Sequence, residues 1–199
     1  DRLSGREGDD TYRFAAGDGR DILRDEARSA ADVLIITGYG AGEALFARLG
    51  AESTDLSIRF AGSDDQLLIS DGLDLAGRGI ETVRFADDGT DLTIPDILAR
   101  LIGAQATDGD DVIFGSGLDD DLAGGLGDDL LVGLGGNDTF RYARGDGDDR
   151  IDALGGGTNT VVLSDYTVAD VVSAVRAGPE SDNLVVTFAT QGDRLTLIG

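Results

Sequence analysis

Residues 106 to 141 repeat with a strict period of nine, and that period constrains the fold more than any other feature of the chain. The blocks run Ala106 to Phe114, Gly115 to Ala123, Gly124 to Val132 and Gly133 to Arg141. Place six is always Asp: Asp111, Asp120, Asp129, Asp138. Place eight is always large and apolar: Ile113, Leu122, Leu131, Phe140. The first places are small or turn-forming. Nine residues suffice for one turn and one strand too short to be stable alone, so such units persist only by stacking on their neighbours.

Stacking has a geometric consequence. Two nonapeptides complete one coil, so blocks two apart share an edge. Their strands pair in parallel, the place-eight side chains share one interior, and the place-six carboxylates form columns. The expected pairs are Asp111 with Asp129, Asp120 with Asp138, and Asp129 with Asp149. Asp149 belongs to a further block, Arg144 to Asp152, set off by the two-residue insertion Tyr142-Ala143. Adjacent carboxylates repel by roughly 1 to 4 kcal/mol per pair, depending on the local dielectric. A divalent cation between turns reverses that sign. Ca²⁺ takes 6 to 8 oxygens at about 2.3 to 2.6 Å, from carboxylates and backbone carbonyls alike.

Composition agrees with an oxygen-only ligand set. The chain has 33 Asp but only 6 Glu, 16 Arg and no Lys, and a net charge of -23. Asp, with its short side chain, is the acid that folds back into tight turns. His, Cys, Met and Trp are absent. Thiolate and imidazole metal sites, disulfides, and Ser–His–Asp or Cys–His catalysis are thereby excluded within this chain. The negative charge argues against nucleic acid, and no apolar run is long enough to span a bilayer. No EF-hand loop is present, since no Asp run carries the Glu required at place twelve.

The same device opens the chain. Asp1 falls at place six and Leu3 at place eight. Gly5 to Arg13 is a full block with Asp10 at place six, and Ala16 to Arg24 is another with Asp21. Asp1 and Asp21 form the expected pair, and Asp10 has no upstream partner. Because Asp1 begins mid-block, the chain is expected to be a slice of a longer protein. Beyond each array the pattern changes to period two. Strands are predicted at Asp32 to Ile36, Ala44 to Leu49 and Ile80 to Phe85. Leu56, Ile58 and Phe60 with Leu67 and Ile69 predict a hairpin around residues 61–65. Pro95 to Ile102 predicts a short helix, with Asp96 near its N-terminus and Gly103 beyond its end. Val161 to Leu163, Val171 to Val175, the Leu184, Val186, Phe188 series and the Leu195, Leu197 pair predict further strands.

The second half repeats the first at a constant offset. Asp10 maps onto Asp138, Gly17-Asp18-Gly19 onto Gly145-Asp146-Gly147, and Leu56, Phe60, Asp65 and Leu67 onto Leu184, Phe188, Asp193 and Leu195. The expected organisation is an array end (1–25) with a β-rich cap and short helix (26–103), then a second array (106–152, within 104–199) with its own cap (153–199). Only the first copy carries the stretch from 72 to 103. Asp64-Asp65 and Asp87-Asp88 could be catalytic pairs but read more simply as turns. Phe14, Tyr142, Phe60 and Phe188 could stack on sugars but read more simply as core.

The blocks resemble the G-G-x-G-x-D-x-U-x nonapeptides of the RTX (repeats-in-toxin) family, with Gly124 to Val132 a full match. The caps resemble haemolysin-type calcium-binding-related segments. The resemblance implies an all-β fold, a right-handed parallel β-roll binding several Ca²⁺ ions. It implies that carbonyls at places one, three and five join the place-six Asp of the stacked neighbour. That brings in the backbones of Gly115, Gly117, Asp119, Gly124, Leu126, Asp128, Gly133, Gly135 and Asn137. It also implies a secreted, extracellular or cell-surface protein, exported unfolded by type I secretion machinery and folding on Ca²⁺ outside the cell. The expected function is a non-catalytic calcium-binding folding module, the alternative being a calcium-dependent adhesin or polysaccharide-binding module with a cell-surface or glycan ligand. An enzyme ranks last, because without His and Lys only carboxylates, Arg and Tyr could do acid–base work. The blocks depart from the motif at Ala106, Thr107, Leu118 and Leu134. Leu118 stands where a left-handed glycine belongs, which predicts strain there and weaker sites in the 106–123 turns.

Overall fold

A computed structural model describes residues 1–5, 7–25, 31–50, 53–73, 79–178 and 181–199. Arg6 of the first full block and residues 74–78 of the 72–103 stretch lie outside the described residues. The chain divides into two compact units, Asp1–Leu101 and Ile102–Gly199.

In the second unit the array folds as a parallel β-roll. Strands β10 (Val112–Ser116), β12 (Leu130–Leu134) and β14 (Asp148–Asp152) form one face, and β11 (Asp121–Ala123), β13 (Thr139–Ala143) and β15 (Thr160–Ser164) the other. Val112 pairs with Leu130 and Asp121 with Thr139, so blocks two apart are neighbours as the period requires. The insertion lengthens the next steps: Leu130 pairs with Arg150, and Thr139 with Thr160. All pairings within the roll are parallel. Ile113, Leu122, Leu131, Phe140 and Ile151 are at most 1% exposed and form its interior. Burying each such side chain contributes about 1.5 to 3 kcal/mol, which is what holds three-residue strands in place.

A hairpin closes the roll. Strands β16 (Val171–Arg176), β17 (Leu184–Phe188) and β18 (Arg194–Ile198) are antiparallel to one another, while β18 adds to β14 in parallel. Phe188 stacks on Tyr142 and Tyr166, with ring centroids 5.4 and 4.2 Å away.

The first unit has the same plan. Strands β1 (Arg2–Ser4), β3 (Arg20–Arg24), β7 (Gln66–Ser70), β6 (Leu56–Phe60) and β5 (Ala44–Arg48) form one sheet, in that order. The other runs β2 (Thr11–Ala15), β4 (Val33–Thr37), β8 (Thr82–Phe85) and β9 (Thr90–Thr93). Each strand from β1 to β7 has its counterpart in β12 to β18 near the offset read from the sequence. Phe14, Phe60, Phe188 and Tyr142 are all buried, as core residues should be. Asp65 and Asp193 play one role in both caps. Asp65 accepts the N–H groups of Gly17 and Gly19 and the Tyr39 hydroxyl. Asp193 accepts the Gly145 N–H and the Tyr166 hydroxyl. Only the first copy continues into β8, β9 and helix α1 (Ile94–Gly103). Asp96 caps that helix, accepting the Thr93 N–H and hydroxyl at 2.8 and 2.6 Å, which holds its carboxyl below the usual range.

One expectation is corrected. Leu118 does not adopt a left-handed backbone; the strained leucine is Leu134, with φ of 66°. A left-handed non-glycine residue costs on the order of 1 kcal/mol. Leu134→Gly should therefore raise the unfolding free energy by about 1 kcal/mol, measurable in urea. Leu118→Gly should bring no such gain, because there is no strain to relieve.

Candidate metal centre

The registers bring the predicted carboxylates together, and a repeated hydrogen bond fixes how. The backbone N–H of each place-six Asp donates to the carboxylate of the place-six residue one coil later. Asp111 donates to Asp129 Oδ1 at 2.8 Å, Asp120 to Asp138 Oδ1 at 3.1 Å, and Asp129 to Asp149 Oδ1 at 3.0 Å. Asp138 continues the second column by donating to Asn159 Oδ1 at 2.8 Å.

A second ladder runs the opposite way at place five. Asp128 N–H donates to Asp110, Asp148 N–H to Asp128, and Asn137 N–H to Asp119. Asp119, Asp128 and Asn137 thus contribute side chains to turn stacking as well as the backbone carbonyls expected of them. Gly117 and Leu126 lie in exposed turns, while Gly115, Gly124 and Gly133 are buried beside the columns.

The second carboxylate oxygens separate the turns into two kinds. Asp111 Oδ2 accepts the Thr107 N–H and hydroxyl, at 2.6 and 2.8 Å. Asp120 Oδ2 accepts the Ser116 N–H and hydroxyl, at 2.5 and 2.9 Å. Asp129, Asp138 and Asp149 are at most 1% exposed, and the Oδ2 of each is buried with no hydrogen-bond partner. A buried carboxylate oxygen left unsatisfied is costly. Burial, opposed by the neighbouring amide and reinforced by other carboxylates, raises the carboxyls of Asp129 and Asp138. Burial pushes Asp149 up to about 7, with Asp129, Asp146 and Asp128 adding to the shift. Asp146 is raised for the same first reason.

Glycine at place one makes room for these oxygens. A Cβ on Gly124 would lie 2.0 Å from Asp129 Oδ2, and one on Gly133 would lie 2.3 Å from Asp138 Oδ2. The donors are all oxygen, anionic or carbonyl, and the buried orphan atoms point to a missing positive partner. These residues fit a hard divalent cation of the Ca²⁺ type.

In the first unit Arg2 pairs with Ile22, which places Asp1 beside Asp21. There the backbone nitrogen of Asp1 donates to the Asp21 carboxylate, the same bond that links place-six residues one coil apart in the second unit. Asp10 gains the downstream neighbour Asp32, donating its N–H to Oδ1 at 2.7 Å. Asp10, Asp25 and Asp32 form the one acidic cluster of metal-holding size among the described residues, with ligand atoms within 4.8 Å of one another. Sequence reading missed Asp25 and Asp32. The available signal was Asp32 immediately before strand β4, just as Asp111, Asp120, Asp129 and Asp138 precede theirs. The two Asp pairs considered as catalytic serve turns and caps. Asp88 accepts the Ala41 and Thr90 N–H groups, and Asp65 acts as described above.

No family model matches the chain, and no curated protein does. Among solved structures, the extracellular lipase LipA from Serratia marcescens aligns with all of this chain at 20% identity and a TM-score of 0.33. The chain spans 36% of that lipase. So slight a likeness carries no assignment, and the β-roll rests on the parallel registers above. No helix among the described residues is long and apolar enough to cross a membrane.

Proposed function

We propose that this chain is a calcium-binding folding module of a secreted, RTX-like protein, without catalytic activity of its own. The observation that carries the reading is the set of buried Oδ2 atoms with no partner: Asp129 and Asp149 one coil apart in one column, and Asp138 in the other. Ca²⁺ supplies the charge that these oxygens lack. The chain's residues supply the rest: the amide ladder orients each carboxylate, and Gly124 and Gly133 leave space beside Asp129 and Asp138. With a net charge of -23, compaction without cations is opposed by self-repulsion. Binding and folding are then one event, which suits a protein exported unfolded through type I machinery and folded outside the cell.

A circular-dichroism titration tests this. In excess chelator the strand signal should be largely lost. It should return as Ca²⁺ rises through roughly 10⁻⁴ to 10⁻³ M, the range of extracellular modules. The same folded spectrum in chelator and in millimolar Ca²⁺ would sink the proposal.

A further inference from the structure

We infer that in the second unit place two of each turn decides whether that turn's Asp is a cation site: a hydroxyl residue there replaces the ion from within the chain. The inference rests on the cation-binding reading above and refines it.

Five turns of the second unit sort cleanly. Where place two is Thr107 or Ser116, the place-six Oδ2 is satisfied by that residue's own N–H and hydroxyl. Where place two is Gly125, Leu134 or Gly145, the Oδ2 of Asp129, Asp138 or Asp149 is buried and unpartnered. The backbone separates the same two groups. Gly125, Leu134 and Gly145 are left-handed, with φ of 96°, 66° and 95°, and Thr107 and Ser116 are not. In the left-handed turn of Asp149 the place-two N–H of Gly145 goes to Asp193 instead. The alternative turn aims it inward and lets the hydroxyl follow.

The hydroxyl also stabilises its own turn. Thr107 Oγ1 accepts the Gly109 N–H at 3.2 Å, and Ser116 Oγ accepts the Leu118 N–H at 3.1 Å. These are local side-chain turns that Ser and Thr form readily. They also explain why Leu118 is tolerated at place four: a turn closed by Ser116 needs no left-handed residue there. The array is therefore divided. Residues 106–123 are satisfied without metal, and residues 124–152 require it.

Counting bound Ca²⁺ by equilibrium dialysis of the full chain tests the rule in both directions. Ser116→Gly with Leu118→Gly restores the glycine turn around Asp120, and the count should rise by one ion per chain. Leu134→Ser offers a hydroxyl to Asp138, and the count should fall by one. Leu134→Gly removes the same side chain without supplying a hydroxyl and should leave the count unchanged. If the double variant does not fold, Leu134→Ser against Leu134→Gly still decides. Unaltered counts in the double variant and in Leu134→Ser would overturn the rule while leaving the cation reading intact. A wild-type chain that binds no Ca²⁺ would overturn both.

Discussion

Asp149→Asn should make the protein more stable in chelator and less stable in millimolar Ca²⁺. Without metal the wild-type carboxyl sits in a fully buried position beside Asp129, Asp146 and Asp128, and is pushed up to about 7 from its ordinary value of 3.8. The unfolded chain therefore releases its proton near pH 4, while the folded chain holds it until about pH 7. Between those values the folded state binds the extra proton, so lowering the pH favours folding. Above pH 7 the charged, buried carboxylate opposes the fold in full. The metal-free wild type should accordingly gain stability as pH falls from 7.5 to 5, and Asp149→Asn should flatten that dependence while keeping an acceptor for the Asp129 N–H. With Ca²⁺ at a hundredfold excess over its Kd, one lost site removes about 2.7 kcal/mol. The strand signal remaining in chelator and urea unfolding in Ca²⁺, at both pH values, read out all four predictions. If the variant is destabilised equally with and without Ca²⁺, Asp149 is a structural residue and not a ligand.

The sign reversal follows from the way the columns are built. The carboxylates of Asp129, Asp138 and Asp149 each spend one oxygen on an amide of the preceding coil. That bond orients the group and leaves the other oxygen buried without a hydrogen-bond partner. The place-five ladder runs the opposite way and ties the same coils together from the solvent side. Hydrogen bonds thus set the register of the stacked turns, and the ion's contribution is to cancel charge at the buried carboxylates.

Much of this was legible because the period of nine fixes both register and burial. Ile113, Leu122, Leu131, Phe140 and Ile151 share an interior because place eight always faces inward, and Asp111 meets Asp129 because two blocks close one coil. The duplication was equally visible, since Asp65 and Asp193 are turn residues at the same distance from the same glycines. The cap acids Asp25 and Asp32 escaped notice because the column continues past the last nonapeptide, through a strand whose preceding sequence no longer follows the motif. The position of the strain was misread for a different reason. A motif says where glycine is usual, but whether a turn needs a left-handed residue depends on its neighbours. Ser116 relieves place four in its own block, whereas Leu134 has no hydroxyl beside it and must take the left-handed backbone itself. Strand β9 also lacked a clear signal, because Thr90–Thr93 alternates weakly and is defined by its pairing with β8.

Gly155→Ala should destabilise the calcium-loaded protein by about 3 kcal/mol, in the upper range for forcing extra volume into a packed site. A Cβ at Gly155 would lie 1.2 Å from the Leu134 carbonyl oxygen and 2.0 Å from its carbon. Both are backbone atoms, so no side-chain rotation relieves the clash. The neighbouring coil is pinned too: Gly135 donates its N–H to Ser116 at 3.1 Å, and Thr158 donates to Asn137 at 2.8 Å. Relief requires the turn at 153–157 to lift from the one before it, loosening the Asn159 side chain that accepts the Asp138 N–H. The effect should therefore reach the cation site at Asp138 as well as the melting point, with a fall in Tm of roughly 10 °C for a chain of this size and weaker Ca²⁺ binding. Gly117→Ala is the matched control. It lies in the same array, its Cβ would meet nothing within 4 Å, and its φ is not left-handed. It should stay within about 0.5 kcal/mol of wild type, as exposed substitutions usually do. If Gly155→Ala melts with wild type, as Gly117→Ala should, the coils are not stacked as closely as the Gly155–Leu134 contact requires.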